Sequence, residues 1–236
     1  AGTDVENYNI GGGNVPNNSI PTGSTLLRKN TGFGKYNLNS LTVGINNVAI
    51  GHSSLKSAVS ASNNVAIGKD AMFLATSASE NIAIGEDALY SNLTSLGNIA
   101  IGRDALRLDT GRYNTVVGWQ AGATNQAGEF NTYLGYLAGA GNVDDDQNVA
   151  IGRESGYFFV AENNTSIGAK SLHGVYNGST GDGNTVLGYN SGFAITTGSK
   201  NVIIGSNTGS TIATSSNNII ISDGDGNNRI QVDSGG

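Results

Sequence analysis

Carboxylate and aromatic side chains recur in this chain at intervals of seventeen residues. Asp70, Asp87 and Asp104 form one such series, and Trp119 and Tyr136 form another. If a regular fold stacks these positions, the three carboxylates either hold a cation or accept hydrogen bonds from the backbone of the turns they start. The two aromatic rings form either a platform for a sugar ring or a ladder that only stabilises the protein.

A metal site has little support elsewhere in the sequence. The chain has no cysteine, which excludes thiolate ligands and disulfides. Asp223, Asp225 and Asn227 alternate like the start of a calcium loop, but Asn228 replaces the expected glycine and no Glu follows at the twelfth position. The Asp-Gly pairs instead favour a hairpin between "NIIIS" and "RIQVD". We therefore predict no metal and no cofactor.

Catalytic residues are equally scarce. His52 and His173 are isolated, and no nucleophile elbow or phosphate-binding loop is present. Cleavage of a polysaccharide needs only two carboxylates, for which Glu86 and Asp87 are one candidate pair. Because a carboxylate at a repeated surface position usually only faces solvent, we predict that the protein is not an enzyme.

An internal repeat positions all of these residues. Its template is Asn, an apolar residue or Thr, any residue, an aliphatic or aromatic residue, and then Gly. Most intervals are seventeen residues, and the twelve copies begin at Asn30, Asn47, Asn64, Asn81, Asn98, Asn114, Asn131, Asn148, Asn164, Asn184, Asn201 and Asn218. Such a period indicates a solenoid, in which each repeat is one unit of a stack.

The alternation within "NVAIG" is typical of a strand. One short strand per repeat predicts an all-β fold, a parallel β-solenoid (β-roll) of about twelve coils stacked about 4.8 Å apart into a rod roughly 50 Å long. We assign residues 1–29 to an N-terminal cap or connector, 30–226 to the solenoid and 227–236 to a C-terminal exit strand.

Stacking places the twelve asparagines above one another as an Asn ladder. Asn also tolerates the left-handed conformation that a corner of the coil requires. A coil this thin has room inside for one face of the strand only. If the small Ala and Ser residues fill it, Val and Ile need a partner outside, which predicts a homotrimer, intertwined or side by side. The reverse orientation, with Val and Ile inside, stays open.

Composition narrows the class of partner. The net charge is −6 and no Lys/Arg cluster is present, which argues against nucleic-acid binding. No apolar run approaches eighteen residues, so we predict no insertion into a membrane.

The motif also carries a family resemblance. Repeats such as "NNVAIG" resemble the heads of trimeric autotransporter adhesins, which form a left-handed parallel β-roll trimer. The longer pattern "GNIAIGRDALRLDTGRYNTVVGWQAG" more closely resembles repeats of bacteriophage tail fibres. The ending "NNIIISDGDGNNRIQVDSGG" is similar to the segment that precedes a self-cleaving chaperone domain in phage fibres, which implies that such a domain was cleaved off or left out.

Residues that differ between repeats are the candidates for receptor contact. The residue after each template Gly should face outward, and Arg153 and Tyr189 share this position with the two stacked aromatics. A second group lies near the irregular loop before Asn184, where packing between subunits is the alternative role. The candidates are Trp119, Tyr136, Arg153, Tyr189, Tyr157, His173 and Tyr176.

The resemblance implies a trimeric phage tail fibre, located in the virion, that binds a host-surface glycan or protein and contacts other tail components. One alternative is the head of a bacterial trimeric adhesin on the cell surface. Another is a polysaccharide-cleaving tail spike.

Overall fold

The computed structural model describes residues 7–9, 29–158, 160–174 and 179–235. They form one fourteen-stranded sheet in which each strand pairs with its neighbours in sequence. The strands are β1 (Asn7–Asn9), β2 (Asn30–Phe33), β3 (Val48–Ile50), β4 (Val65–Ile67), β5 (Ile82–Ile84), β6 (Ile99–Ile101), β7 (Thr115–Val117), β8 (Thr132–Leu134), β9 (Val149–Ile151), β10 (Thr165–Ile167), β11 (Thr185–Leu187), β12 (Val202–Ile204), β13 (Ile219–Ser222) and β14 (Asn228–Val232). A 3-10 turn spans Ser210–Ile212.

The repeat and the strands coincide. Strands β2 to β13 fall at the twelve template copies and enclose eleven turns of roughly seventeen residues. Equivalent positions pair in parallel, so that Val48 lies beside Val65 and Val65 beside Ile82. This register confirms the parallel β-solenoid predicted from the sequence.

The structure decides which strand face lies inside the coil. We number each coil from its ladder Asn as position 0. The residue at position 2, such as Ala66, is fully buried, and the flanking Val65 and Ile67 are partly exposed on the outer surface. The small residues therefore fill the coil and the aliphatic residues face outward.

The interior is filled by complementary volumes at positions 2 and 8. Where position 2 is alanine, as at Ala66, position 8 is usually a large residue, as at Met72. Where position 2 is Tyr133, position 8 is Gly139, whose added Cβ would lie 2.7 Å from the tyrosine ring. The coil that pairs Ala150 with Gly156 is small at both positions and lines an interior cavity of about 10 Å³.

The template glycine permits the close stacking of coils. At Gly68, φ is 140° and an added Cβ would lie 2.4 Å from the carbonyl oxygen of Gly85 in the next coil. Any side chain there collides with backbone that cannot move without opening the stack. Ser222, which ends the last copy, is followed by the antiparallel strand β14 instead of another parallel coil.

The ladder asparagines join the coils through backbone and side chain. From Asn47 to Asn218, each backbone N–H donates to Oδ1 of the preceding ladder Asn at 2.8–3.1 Å. In Asn64, Nδ2 also reaches across its own coil to the carbonyl of Ala78 at 2.8 Å. The left-handed corner is not at the ladder Asn but at the residue before it, for example Asn63 with φ 58°.

Both ends of the sheet carry additional strands. Strand β1 lies within the segment assigned to the cap, and Asn7 pairs in register with Asn30. Strand β14 lies within the predicted exit segment and pairs antiparallel with β13, which confirms the hairpin.

Candidate functional site

The outer face of the sheet is a long aliphatic surface. We define the aliphatic strip as the apolar side chains at positions 1 and 3 from β3 to β13. Several are more than one third exposed, including Leu134 at 46% and Ile204 at 41%. The strip comprises Val48, Ile50, Val65, Ile67, Ile82, Ile84, Ile99, Ile101, Val117, Leu134, Val149, Ile151, Ile167, Leu187, Val202, Ile204, Ile219 and Ile221.

This exposure is unusual for a parallel sheet, because parallel sheets normally have both faces covered. Large exposed apolar surfaces are typical of interaction sites, which makes the strip a candidate interface.

A second column runs along position 5, directly after the template glycine. Lys69 Nζ lies 2.9 Å from Glu86 Oε1, and Arg103 Nε lies 3.7 Å from Glu86 Oε2. The hydrogen bond from Lys69 lowers the pKa of the Glu86 carboxyl below its usual value. These exposed ion pairs link three coils, and each contributes little to the stability of the fold.

Trp119 and Tyr136 continue the same column as a stacked pair. Their ring centroids are 5.1 Å apart with planes 5° from parallel, and the residues are 39% and 45% exposed. In the next coil Arg153 pairs with Glu154 at 3.1 Å. Tyr189, at the same position further along, is 58% exposed. The structure thus brings Trp119 and Tyr136 together and holds Arg153 by an ion pair.

The second group of candidates belongs to a different column, at position 9. Tyr157 and His173 are partly buried, with ring centroids 5.5 Å apart, and His173 stacks on Phe193 at 5.0 Å. His173 Nε2 also lies 3.9 Å from Glu154 Oε2. Tyr176 lies outside the described residues.

The three repeated aspartates occupy left-handed positions with φ of 55–57°. Asp70 lies 3.6 Å from Lys69, and Asp87 lies 3.9 Å from Arg107. Asp104 lies 3.4 Å from both Arg103 and Arg107. The aspartates are therefore interleaved with basic side chains. Within the described residues, no group of three or more His, Cys, Asp or Glu side chains could hold a metal ion.

The solenoid also contains a buried carboxylate that is not among the residues predicted from the sequence. Asp109 is fully buried at position 11. Its oxygens accept from Asn98 Nδ2 at 3.0 Å, Asn125 Nδ2 at 2.6 Å and the Gly111 N–H at 3.1 Å. Burial raises the pKa of Asp109 to about 7 in spite of these donors. The signal was available, because position 11 is apolar in earlier coils but polar in four consecutive ones, at Asn92, Asp109, Asn125 and Asn142.

Asp223 organises the C-terminal hairpin. Its carboxylate accepts from the backbone N–H of Asn227 at 2.9 Å and of Asp225 at 3.0 Å, and Arg229 Nη2 lies 2.5 Å away. These bonds, those from Asn227 above all, lower the pKa of Asp223 to about 2. The alternating residues that resembled a calcium loop thus form a turn closed by their own hydrogen bonds.

Comparison with protein-family models, with curated proteins and with solved structures finds no match to this chain. Among the described residues, no helix has the length and apolar character needed to cross a membrane.

Proposed function

We propose that this chain is the shaft and attachment segment of a trimeric fibre, and that the aliphatic strip is the interface between its copies. The supporting observation is the strip itself, which runs from Val48 to Ile221 on the uncovered face of a parallel sheet. The occupant that fits the strip best is a second copy of this chain, because its apolar side chains recur with the same coil spacing along the whole length.

Three copies can bury the strip at a common axis. Around a three-fold axis parallel to the rod, each strip contacts both others and none remains exposed at the centre. The resemblance of the repeats to trimeric β-rolls also supports this number. Among fibres of this kind, a bacteriophage tail fibre in the virion is the assignment we favour, and the head of a bacterial surface adhesin is the second candidate.

Attachment without catalysis is the proposed activity. The stacked Trp119 and Tyr136 offer an exposed aromatic surface for a host glycan or protein, three times per trimer. Weak contacts at three equivalent sites add up through multivalency.

Cysteine cross-linking tests the interface. The chain has no native cysteine, so any disulfide reports the introduced residue alone. Copies related by an axis along the rod hold the same residue at the same height, so Ile84→Cys should give a disulfide-linked dimer under oxidising conditions. Leu93→Cys is the matched control, because Leu93 is 45% exposed but lies off the strip. Equal cross-linking of both variants, or none in Ile84→Cys, would contradict the proposed interface.

A cell-binding assay tests the activity. The protein, labelled with a fluorescent dye, should bind one or more strains in a panel of bacteria. The Trp119→Ala variant should stay folded and label the bound strain about tenfold less. Unchanged labelling by this variant would remove the aromatic platform. Release of reducing ends from the polysaccharide of a bound strain would instead favour the polysaccharide-cleaving spike.

A further inference from the structure

Position 9 forms a column of large side chains on the outside of the solenoid. Lys56 Nζ lies 5.0 Å from the centroid of the Phe73 ring, and Phe73 stacks on Tyr90 at 5.2 Å. The guanidinium of Arg107 lies 5.5 Å from the centroid of the Tyr90 ring. The column resumes three coils later at Tyr157, which contacts the ring of His173 in the next coil.

Two alanines interrupt this column. Ala123 and Ala140 occupy position 9 in the two coils between Arg107 and Tyr157. Three coil steps separate the flanking backbones by roughly 14 Å. The missing side chains leave a cleft of about 510 Å³ with Arg107 on one wall and Tyr157 on the other. The cleft is within the size range of small-ligand sites.

The wall near Arg107 is polar, charge-balanced and held in place by its own contacts. Asp104 lies 3.4 Å from both Arg103 and Arg107, and Gln120 Nε2 lies 3.5 Å from Asp104. With Asp87, the wall carries two carboxylates and two guanidinium groups, so it has no excess charge to attract an ion. It presents hydrogen-bond donors and acceptors together.

The opposite wall is aromatic. Tyr157 contacts Phe158 with ring centroids 4.2 Å apart. A second cavity of about 320 Å³ adjoins the first and shares Thr124, Ala140 and Tyr157 with it. Together the two cavities form one groove, and none of the residues that line it belongs to the aliphatic strip.

We infer that this groove binds a neutral oligosaccharide, with one hexose ring seated over Ala123 and Ala140 between Tyr157 and the Asp104–Arg107 wall. The C–H face of a pyranose packs on an aromatic ring, and its hydroxyl groups both donate and accept. A wholly apolar ligand would displace water from the polar wall without replacing the hydrogen bonds that water makes there. This inference rests on the proposed attachment function and adds to it a second contact site, with a stated class of ligand, that is separate from Trp119 and Tyr136.

Filling the groove is the direct test. Ala123→Phe with Ala140→Phe extends the aromatic column that Phe73 and Tyr90 already form, so the variant should fold. Binding is measured by ligand-observed NMR against neutral trisaccharides of glucose, galactose and mannose, with sialyllactose as the anionic comparison. The wild-type protein should bind at least one neutral trisaccharide, and the double variant should bind it at least tenfold more weakly.

Two further variants control the test. Lys56→Phe adds an aromatic ring to the same column outside the groove, and its binding should equal that of the wild type. Tyr157→Ala should weaken binding at least tenfold and still fold, because alanine already occupies position 9 at Ala123 and Ala140.

The inference is overturned if the wild type binds none of the neutral trisaccharides, if it prefers sialyllactose, or if the filled double variant binds as the wild type does. Cross-linking through Ile84→Cys is independent of the groove. A failure of the inference can therefore be distinguished from a failure of the proposed assembly. Cell labelling that Trp119→Ala reduces, together with no binding of the neutral trisaccharides, would overturn the inference and leave the proposed attachment in place.

Discussion

Two pairs of coils in this solenoid share one backbone and differ in almost every side chain that fills or covers it. The coils that begin at Asn47 and Asn64 have alanine at position 2 and a large residue at position 8. Those that begin at Asn114 and Asn131 have Val116 and Tyr133 at position 2 and glycine at position 8.

The two pairs of coils also differ at positions 9 and 11. Position 11 is alanine in the first pair and asparagine in the second. Position 9 carries Lys56 and Phe73 in the first pair but only Ala123 and Ala140 in the second. Only the ladder Asn at position 0 and the template Gly at position 4 are identical in all four coils. We infer that these two residues maintain the stack. The other positions can vary as long as the side chains inside a coil still fill its volume and its buried polar groups still form hydrogen bonds.

The largest expected loss of stability comes from replacing the template glycine, which the two pairs of coils share. Gly68→Ala and Gly118→Ala each place a Cβ within 2.4 Å of the carbonyl oxygen of the next coil, at φ of 140° and 145°. Each should lower the free energy of unfolding by more than about 4 kcal/mol. Thermal unfolding followed by circular dichroism measures this loss. A loss below about 1 kcal/mol in either variant would show that the glycine is not needed for stacking.

The second prediction concerns the complementary volumes of positions 2 and 8 inside the coil. Tyr133→Ala removes a fully buried ring and should cost about 3–5 kcal/mol. Adding Gly139→Leu should recover most of this loss, because it recreates the interior of the coil that begins at Asn81, which has Ala83, Leu89 and Asn92 at positions 2, 8 and 11. Leucine is accepted there at positive φ, since Leu55 has φ 48° at the equivalent position.

Gly139→Leu alone is the control for this pair of substitutions. Its side chain meets the Tyr133 ring and should be strongly destabilising by itself. If the double variant were no more stable than the less stable of the two single variants, the compensation between positions 2 and 8 would be contradicted.

The last effect arises in the polar interior and depends on pH. Because burial raises the pKa of Asp109 to about 7, folding favours its protonated form. Its contribution to stability is therefore present at low pH and is lost as the pH rises from about 4 to about 7. Asp109→Asn should fit, since Asn92 and Asn125 hold the same position in the adjacent coils.

Thermal unfolding between pH 4 and pH 8 tests this prediction. The Tm of the Asp109→Asn variant relative to the wild type should rise by on the order of 10 °C over this range. Burial also raises the pKa of Asp145, to about 6, and this residue titrates in both proteins. The difference between the two curves thus isolates Asp109. Parallel curves would contradict a titration of Asp109 within this range.

The sequence predicts the fold well because the fold depends on the residues that recur. Period, strand position and register follow from the spacing of Asn and Gly, as the pairing of Val48 with Val65 illustrates. The choice of inner face does not follow from the pattern, because the alternation in "NVAIG" is symmetric between inside and outside. Only the volume available within the coil decides it.

The candidate sites were harder to predict, because they depend on differences between neighbouring coils. Trp119 and Tyr136 were identified because both are large and lie one repeat apart. The groove was missed, since Ala123 and Ala140 are unremarkable residues until their column is compared with Phe73 and Tyr90. Asp109 was missed because an Asp between Leu108 and Thr110 looks like a solvent-exposed turn residue.

The central claim is that the exposed aliphatic strip is an interface between identical copies. Sedimentation equilibrium of the wild-type protein tests it most directly, because it measures mass without assuming a shape. The chain mass is 24.0 kDa, so we expect a single species of about 72 kDa that persists on dilution to low micromolar concentration. A species with the mass of one chain, with the strip left open to solvent, would contradict the account.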